Sequence, residues 1–272
     1  MPEDSTTTTK NSEIEEMKKA GVHYGHKRSR THPKARYFTI EPNNSTITFI
    51  DLEKTVDLLQ QAMKFIQDII KKKGVILWVG TQGGAKKIIA ELAQKYNFPY
   101  VVNRWLGGTL TNFHTLAKRI EYLKELEADS QSGKWEKFTK QERIRLTQEL
   151  EKLQKKFAGL RDMKDLPQAL FIVDPVVHST AVREAIRLHI PIISILDTDD
   201  DPSVIDYPIP ANDSAKSSIS YIMKRIEEAI QEAQHTIPAA EDVTEKQEQK
   251  EEKEPEINNK KASNTSALEQ KS

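Results

Sequence analysis

Val75-Ile76-Leu77-Trp78-Val79-Gly80-Thr81-Gln82-Gly83-Gly84 reads as an apolar strand running into a glycine turn. Five apolar residues in succession leave no polar face, as a parallel strand covered on both sides requires. The turn opens a helix carrying Ile88, Ile89, Leu92 and Tyr96. Residues 98–102, 169–173, 192–196 and 207–209 repeat the strand grammar, with helices expected over 179–189 and 214–234. Strands alternating with helices imply a Rossmann-like α/β fold: a doubly wound, parallel five-stranded sheet with right-handed crossovers.

Working back from this strand, Leu52, Val56, Leu59, Met63, Ile66 and Ile70 recur at helical spacing, an amphipathic helix that Gly74 closes. Residues 36–40 and 46–50 are short β runs around Glu41-Pro42-Asn43-Asn44-Ser45, a hairpin signal. Ser12 and Glu15 have the spacing of a capping box for a short first helix that Gly21 ends. Residues 1–12 are polar and are expected to be disordered.

Working forward, Asn103-Arg104-Trp105-Leu106-Gly107-Gly108-Thr109-Leu110-Thr111-Asn112-Phe113 hands the α/β body over to a charged segment without strands. Gly107-Gly108 lets the backbone turn, and Asn112 suits a helix cap. Leu116, Ile120, Leu123 and Leu126 stripe one helix; Leu146, Leu150, Leu153, Phe157 and Leu160 stripe a second, which Thr139 and Glu142 start as a capping box. Two such seams imply an inserted antiparallel coiled-coil hairpin, roughly 25–30 Å long. Its balanced charges suit protein neighbours. The expected division is therefore a disordered tail at 1–12, an α/β domain at 13–112 and 161–234, a helical hairpin at 113–160, and a disordered charged tail at 235–272.

Net charge is zero, but it is segregated. From Lys18 to Tyr37 there are seven Lys/Arg, three His, two Tyr and no acid. With Pro33 and no periodicity, this reads as an extended basic segment with aromatics, able to follow a phosphate backbone and stack on bases. His23, His26 and His32 would alternatively suit a metal. The absence of cysteine excludes disulfides and thiolate metal sites. No apolar run is long enough for a membrane span, and the N-terminus has no signal-like apolar region, so a cytosolic protein is expected.

Chemistry is harder to find. The turn from Gly80 to Ala85 would suit a nucleotide- or phosphosugar-binding α/β enzyme, the alternative function. It is not the Gly-x-Gly-x-x-Gly dinucleotide fingerprint, because position 82, where the second glycine is needed, is Gln, and Ala85-Lys86-Lys87 is not a P-loop ending. Asp197, Asp199, Asp200 and Asp201, then Asp206 and Asp213, follow a strand end. They read as turn and cap acids or as a structural Mg2+ or other divalent site at Asp197, Asp199 and Asp206; no cofactor is required. No nucleophile, base and orienting group come together, and an enzyme is not expected.

Gly21-Val22-His23-Tyr24-Gly25-His26, the 103–113 segment, Ile195-Leu196-Asp197-Thr198 and Asp206-Tyr207-Pro208-Ile209-Pro210-Ala211-Asn212-Asp213 together resemble the signatures of the small-subunit ribosomal protein S-two family, bacterial type. The likeness runs colinearly from about residue 16 to 234. It implies a Rossmann-like sheet with an inserted helical hairpin, and a structural role in translation: binding small-subunit ribosomal RNA beside other ribosomal proteins, in some bacteria helping recruit ribosomal protein S-one. It implies a cytoplasmic, ribosome-bound protein that does not work at a membrane or as a homo-oligomer. Where many relatives carry Lys-Arg after the first strand, this chain has Gln82-Gly83. The residues expected to meet RNA are Lys18, Lys19, Lys27, Arg28, Arg30, Lys34, Arg36 and Arg104, with Tyr24, His26 and Trp105 stacking or shaping the junction, and Lys86 and Lys87 as weaker contacts.

Overall fold

The computed structural model describes residues 4–40 and 45–236. Helix α1 (Asp4–Ala20) leads into a small antiparallel sheet of β1 (Tyr24–Lys27), β2 (Thr39–Ile40) and β3 (Ile47–Ile50). Then come α2 (Leu52–Lys71), β4 (Ile76–Val79), α3 (Gly83–Lys95) and β5 (Tyr100–Val101). The helices α4 (Phe113–Gln131) and α5 (Lys140–Phe157) follow. The chain finishes with β6 (Ala169–Val173), α6 (Ser179–Arg187), β7 (Ile192–Leu196), β8 (Tyr207–Pro210) and α7 (Lys216–Thr236). The larger sheet is parallel throughout, in the order β5-β4-β6-β7-β8. This is a doubly wound arrangement whose winding direction switches between β4 and β6.

Alternation along the strands divides the core in two. Trp78, Phe171, Ile193 and Ile195 face a layer containing Met17, Leu59, Ile66, Ile222 and Ile226. Leu77, Val79, Leu170, Ile172 and Leu196 face the opposite layer, with Leu116, Ile120, Leu123, Phe157, Leu160 and Ala185. Leu116, Ile120 and Leu123 of the expected α4 seam join this second layer together with Leu150, Leu153 and Phe157 of α5. The distal part of α5 is exposed, and Gln154 of α5 bonds Glu127 of α4 at 2.9 Å. No described helix is long and apolar enough to cross a membrane.

Several local expectations need correction. Helix α1 begins at Asp4, so Ser12 lies inside it and does not start it, and residues 4–12 are not a disordered tail. Pro33–Phe38 is a 3-10 helix with proline in its first turn, where a missing N–H costs nothing, and β2 is left with two residues. Within the extended basic segment, Tyr24–Lys27 forms a strand paired with β3. Lys73, not Gly74, takes the left-handed conformation after α2. The Thr139–Glu142 capping box forms with both its bonds, and Gly21, at φ +78°, ends α1. Residues 41–44 of the hairpin turn and the tail beyond 236 lie outside the described residues.

The small sheet is seated on the loop that follows β7. The Thr198 hydroxyl accepts from His26 N–H at 2.9 Å, and its carbonyl accepts from His32 N–H at 2.8 Å. Gly25 makes this approach possible by lacking a side chain. A Cβ there would stand 2.5 Å from Thr198 Cγ2 and 2.9 Å from the Thr48 carbonyl oxygen. Overpacking of this kind costs about 1–3 kcal/mol. Gly25→Ala is therefore expected to lower the thermal midpoint measurably, and a midpoint equal to wild type would refute the seating.

Candidate nucleic-acid interface

The acid-free stretch from Lys18 to Tyr37 meets its missing acids from the other end of the chain. Arg30 Nη2 lies 3.1 Å from Asp199 Oδ2. Lys34 Nζ lies 2.9 Å from Asp201 Oδ2 and 2.7 Å from Ser203 Oγ. His26 Nδ1 lies 3.1 Å from Asp197 Oδ2 and 3.4 Å from Asp199 Oδ1. Bonds from Ser203, with the Lys34 ammonium, hold the Asp201 carboxyl down to about 2. The acidic loop thus anchors the basic segment at His26, Arg30 and Lys34.

Other cations of the segment remain available. Lys18, Lys19, Lys27 and Arg36 are exposed and make no ion pair among the described residues, as does Arg104. Arg28 is also exposed. Tyr24 is half exposed and clusters with His23 and Phe49, with ring centroids 4.0 and 5.8 Å from it. Burial, aided by the Lys18 charge, lowers the pKa of His23 and keeps this cluster's imidazole neutral more readily. Lys86 and Lys87 are exposed on α3.

Trp105 has a structural task. Its indole Nε1 donates to Glu184 Oε1 at 3.1 Å, and its ring packs against the second core. The same buried carboxylate accepts from Gly108 N at 2.8 Å, Leu110 N at 2.9 Å, Thr111 N at 3.2 Å and the Thr111 hydroxyl at 3.3 Å. Burial raises the Glu184 pKa, but these donors overcome it and leave the carboxyl below its ordinary value. Glu184 on α6 therefore shapes the loop that exposes Arg104, while Trp105 is drawn inward, away from base stacking. Nothing in the sequence around Glu184 marks it, because every donor comes from more than seventy positions away.

The crevice between β4 and β6, where doubly wound sheets commonly hold ligands, is occupied by the protein itself. Thr81 Oγ1 lies 3.0 Å from His178 Nε2, and Gln82 bonds Asp174. Gly84 serves close packing: a Cβ would stand 3.2 Å from the Ser214 carbonyl oxygen. Behind lie buried acids. Burial, with the charges of Asp213, Asp174 and Asp199, pushes Asp200 up to about 8. Burial, with Asp174 and Asp197, pushes Asp213 up to about 7. Burial likewise raises Asp197, against the bond it accepts from Thr198 N–H and the attraction of His26. A phosphate entering here would have to displace these bonds and would meet carboxyl groups already crowded enough to hold their protons. The expected metal triad is also divided. Asp206 accepts from Ile192 N–H at 2.8 Å at the start of β7, while Asp197 and Asp199 follow its end, roughly 15 Å away at strand rise. Among the described residues no group of three or more His, Asp or Glu is placed to hold a metal ion.

Residues 17–233 match the family model described as ribosomal protein S2. The chain is 47% identical over 221 residues to the small ribosomal subunit protein uS2 of each of two Thermus thermophilus strains, covering 81% of this chain and 86% of each relative.

Two outcomes follow from the buried carboxylates. Glu184→Gln places an amide among five donors, leaving some of them unsatisfied, and is expected to destabilise the fold by about 2–4 kcal/mol; denaturant titration checks this, and a loss below the fitting error would remove Glu184's central role. Asp200 is protonated in the native state at pH values where the unfolded chain ionises near 3.8. Its contribution is complete below about pH 4 and is lost as pH rises toward 8. Asp200→Asn should thus gain on wild type as thermal melts move from pH 5 to pH 8, whereas parallel profiles would show that Asp200 ionises normally.

Proposed function

The chain belongs to the ribosomal protein S2 family, and from that premise we propose how it is held in the ribosome. It is a structural constituent of the small ribosomal subunit, acts in translation in the cytoplasm, and is not an enzyme. The proposed mode of attachment is contact between small-subunit ribosomal RNA phosphates and the exposed cations Lys18, Lys19, Lys27, Arg36 and Arg104, which make no ion pair among the described residues. The observation that carries this is their exposure without carboxylate partners among the described residues, on elements already ordered: the end of α1, the chain anchored by the acidic loop, and the loop held by Glu184. Preordering lowers the entropy lost on binding. Arg30 and Lys34 would reach RNA only in competition with Asp199 and Asp201, so their weight is secondary. Arg28, Lys86 and Lys87 are further contacts, and Tyr24 supplies a ring for stacking.

The pair α4 and α5 is read as an antiparallel coiled-coil hairpin over residues 113–160, inserted into the α/β domain of 13–112 and 161–234. Its exposed distal half would meet neighbouring ribosomal proteins. Ribosomal protein S-one is one such partner through the subunit surface. A nucleotide- or phosphosugar-binding enzyme is disfavoured by family membership and by the acidic, self-filled crevice beside Gln82.

The test is binding of the purified chain to a small-subunit ribosomal RNA transcript across a salt series. Affinity should fall steeply with salt, since each neutralised phosphate adds nearly one to the log–log slope. The triple variant Lys18→Ala, Lys19→Ala, Lys27→Ala should bind about ten-fold or more weakly with a shallower slope. Flat salt dependence for wild type would overturn the electrostatic mechanism.

A further inference from the structure

Between Pro175 and Leu196 the chain has a single acid, Glu184, and it is buried. Its carboxylate is turned inward to the Arg104 loop by five donors. The outer face of α6 therefore carries no acid of its own. It exposes Ser179, Thr180, Arg183 and Arg187, the two arginines four residues apart and hence on one face. Neither arginine makes an ion pair among the described residues. The Arg183 guanidinium is laid along the helix: Nε donates to the Ser179 carbonyl at 3.2 Å, and Nη2 lies 3.5 Å from Thr180 Oγ1. That fixes one edge of the group and leaves the remaining N–H donors outward. The Glu184 clamp also sets the loop carrying exposed Arg104 against the same helix.

We infer that the outer face of α6, with Arg183, Arg187 and the adjoining Arg104, is a second RNA-contact surface that grips phosphates apart from the basic N-terminal segment. This rests on the RNA-binding reading above. Planar guanidinium groups suit phosphate oxygens, since two parallel N–H donors can meet them at once. The hydroxyls of Ser179 and Thr180 add donors of the kind that fix a backbone's register without reading sequence. A partly prefixed Arg183 loses less rotamer freedom on binding than a free lysine. Glu184 is thereby a positioning residue, holding the Arg104 loop and removing the helix's one acid from the surface.

The experiment uses the full chain, tagged and assembled into small subunits in a bacterial host. Retention on subunits is measured through a potassium chloride series, and ultraviolet cross-links are mapped to peptides. The variant Arg183→Ala, Arg187→Ala should leave the thermal midpoint unchanged, because both side chains are exposed. It should come off subunits at lower salt than wild type, bind an rRNA transcript about three- to ten-fold more weakly, and reduce the log–log slope by about one to two. The wild-type peptide containing α6 should cross-link to ribosomal RNA. Retention and RNA affinity equal to wild type, while the triple lysine variant is weakened, would overturn the α6 surface and leave the N-terminal interface standing. Lost retention with unchanged RNA affinity and protein-only cross-links would also overturn it, in favour of an acidic protein neighbour. Salt-independent binding of wild type would instead remove the RNA-binding reading itself, and this surface with it.

Discussion

The seating of Thr198 against the chain between Gly25 and His32 is the constraint on which the surface depends. It joins two segments that share no local signal, through one hydroxyl and one carbonyl accepting backbone N–H groups at 2.9 and 2.8 Å. Around that contact the aspartates of the same loop reach Arg30 and Lys34. Exposed ion pairs contribute little stability one at a time. Their effect here is geometric, since they hold a basic segment against the sheet so that its other cations stand in fixed positions. A segment with no acids of its own would otherwise repel itself and remain mobile. The same loop limits the interface, because every cation that it anchors is partly withdrawn from a phosphate.

Two kinds of buried carboxylate show how far environment outweighs residue type. Glu184 is buried but receives five donors, so its charge is retained and its pKa falls below the ordinary value. Asp200 accepts one bond, from Asp197 N–H at 2.8 Å, and lies among other acids, so its proton is retained to about pH 8. The first ties a loop to a helix and organises an exposed arginine. The second accepts the Asp197 N–H just past the end of β7 without adding charge there. Counting acids in the sequence cannot separate these roles, because they are set by donors distant along the chain.

What could be read in the sequence follows the same line. The parallel strands were legible because burial on both faces leaves an unbroken apolar run, as at Ile76–Val79 and Ala169–Val173. Helix α2 was legible through its spacing, and the second arm helix through a capping box. Strand β1 was not, since Tyr-Gly-His-Lys has no alternation and its pairing with β3 is set by a glycine that lets Thr198 approach. The 3-10 helix at Pro33–Phe38 was missed because proline forbids a helix interior but suits a first turn. At the site, the exposed cations were visible as composition, and their sorting into paired and unpaired was not. Trp105 was visible as an unusual residue, but its inward task required knowing where Glu184 would stand.

The crevice at the winding switch illustrates why fold alone does not carry function. A sheet of this order offers a gap beyond the ends of β4 and β6, and strand–turn–helix glycines usually open it to phosphate. Here the glycine at position 84 admits the backbone at Ser214, Gln82 reaches Asp174, and His178 takes up Thr81. Asp200 and Asp213 behind them hold protons because burial, and after it the neighbouring acids, disfavours their charged forms. An anion entering would have to displace these bonds and give up its hydration in a buried region. The glycine turn has been converted into a packing joint. With the crevice closed by the protein's own side chains, positive charge is found on the outer surfaces, where a phosphate backbone can be followed across the molecule rather than enclosed within it.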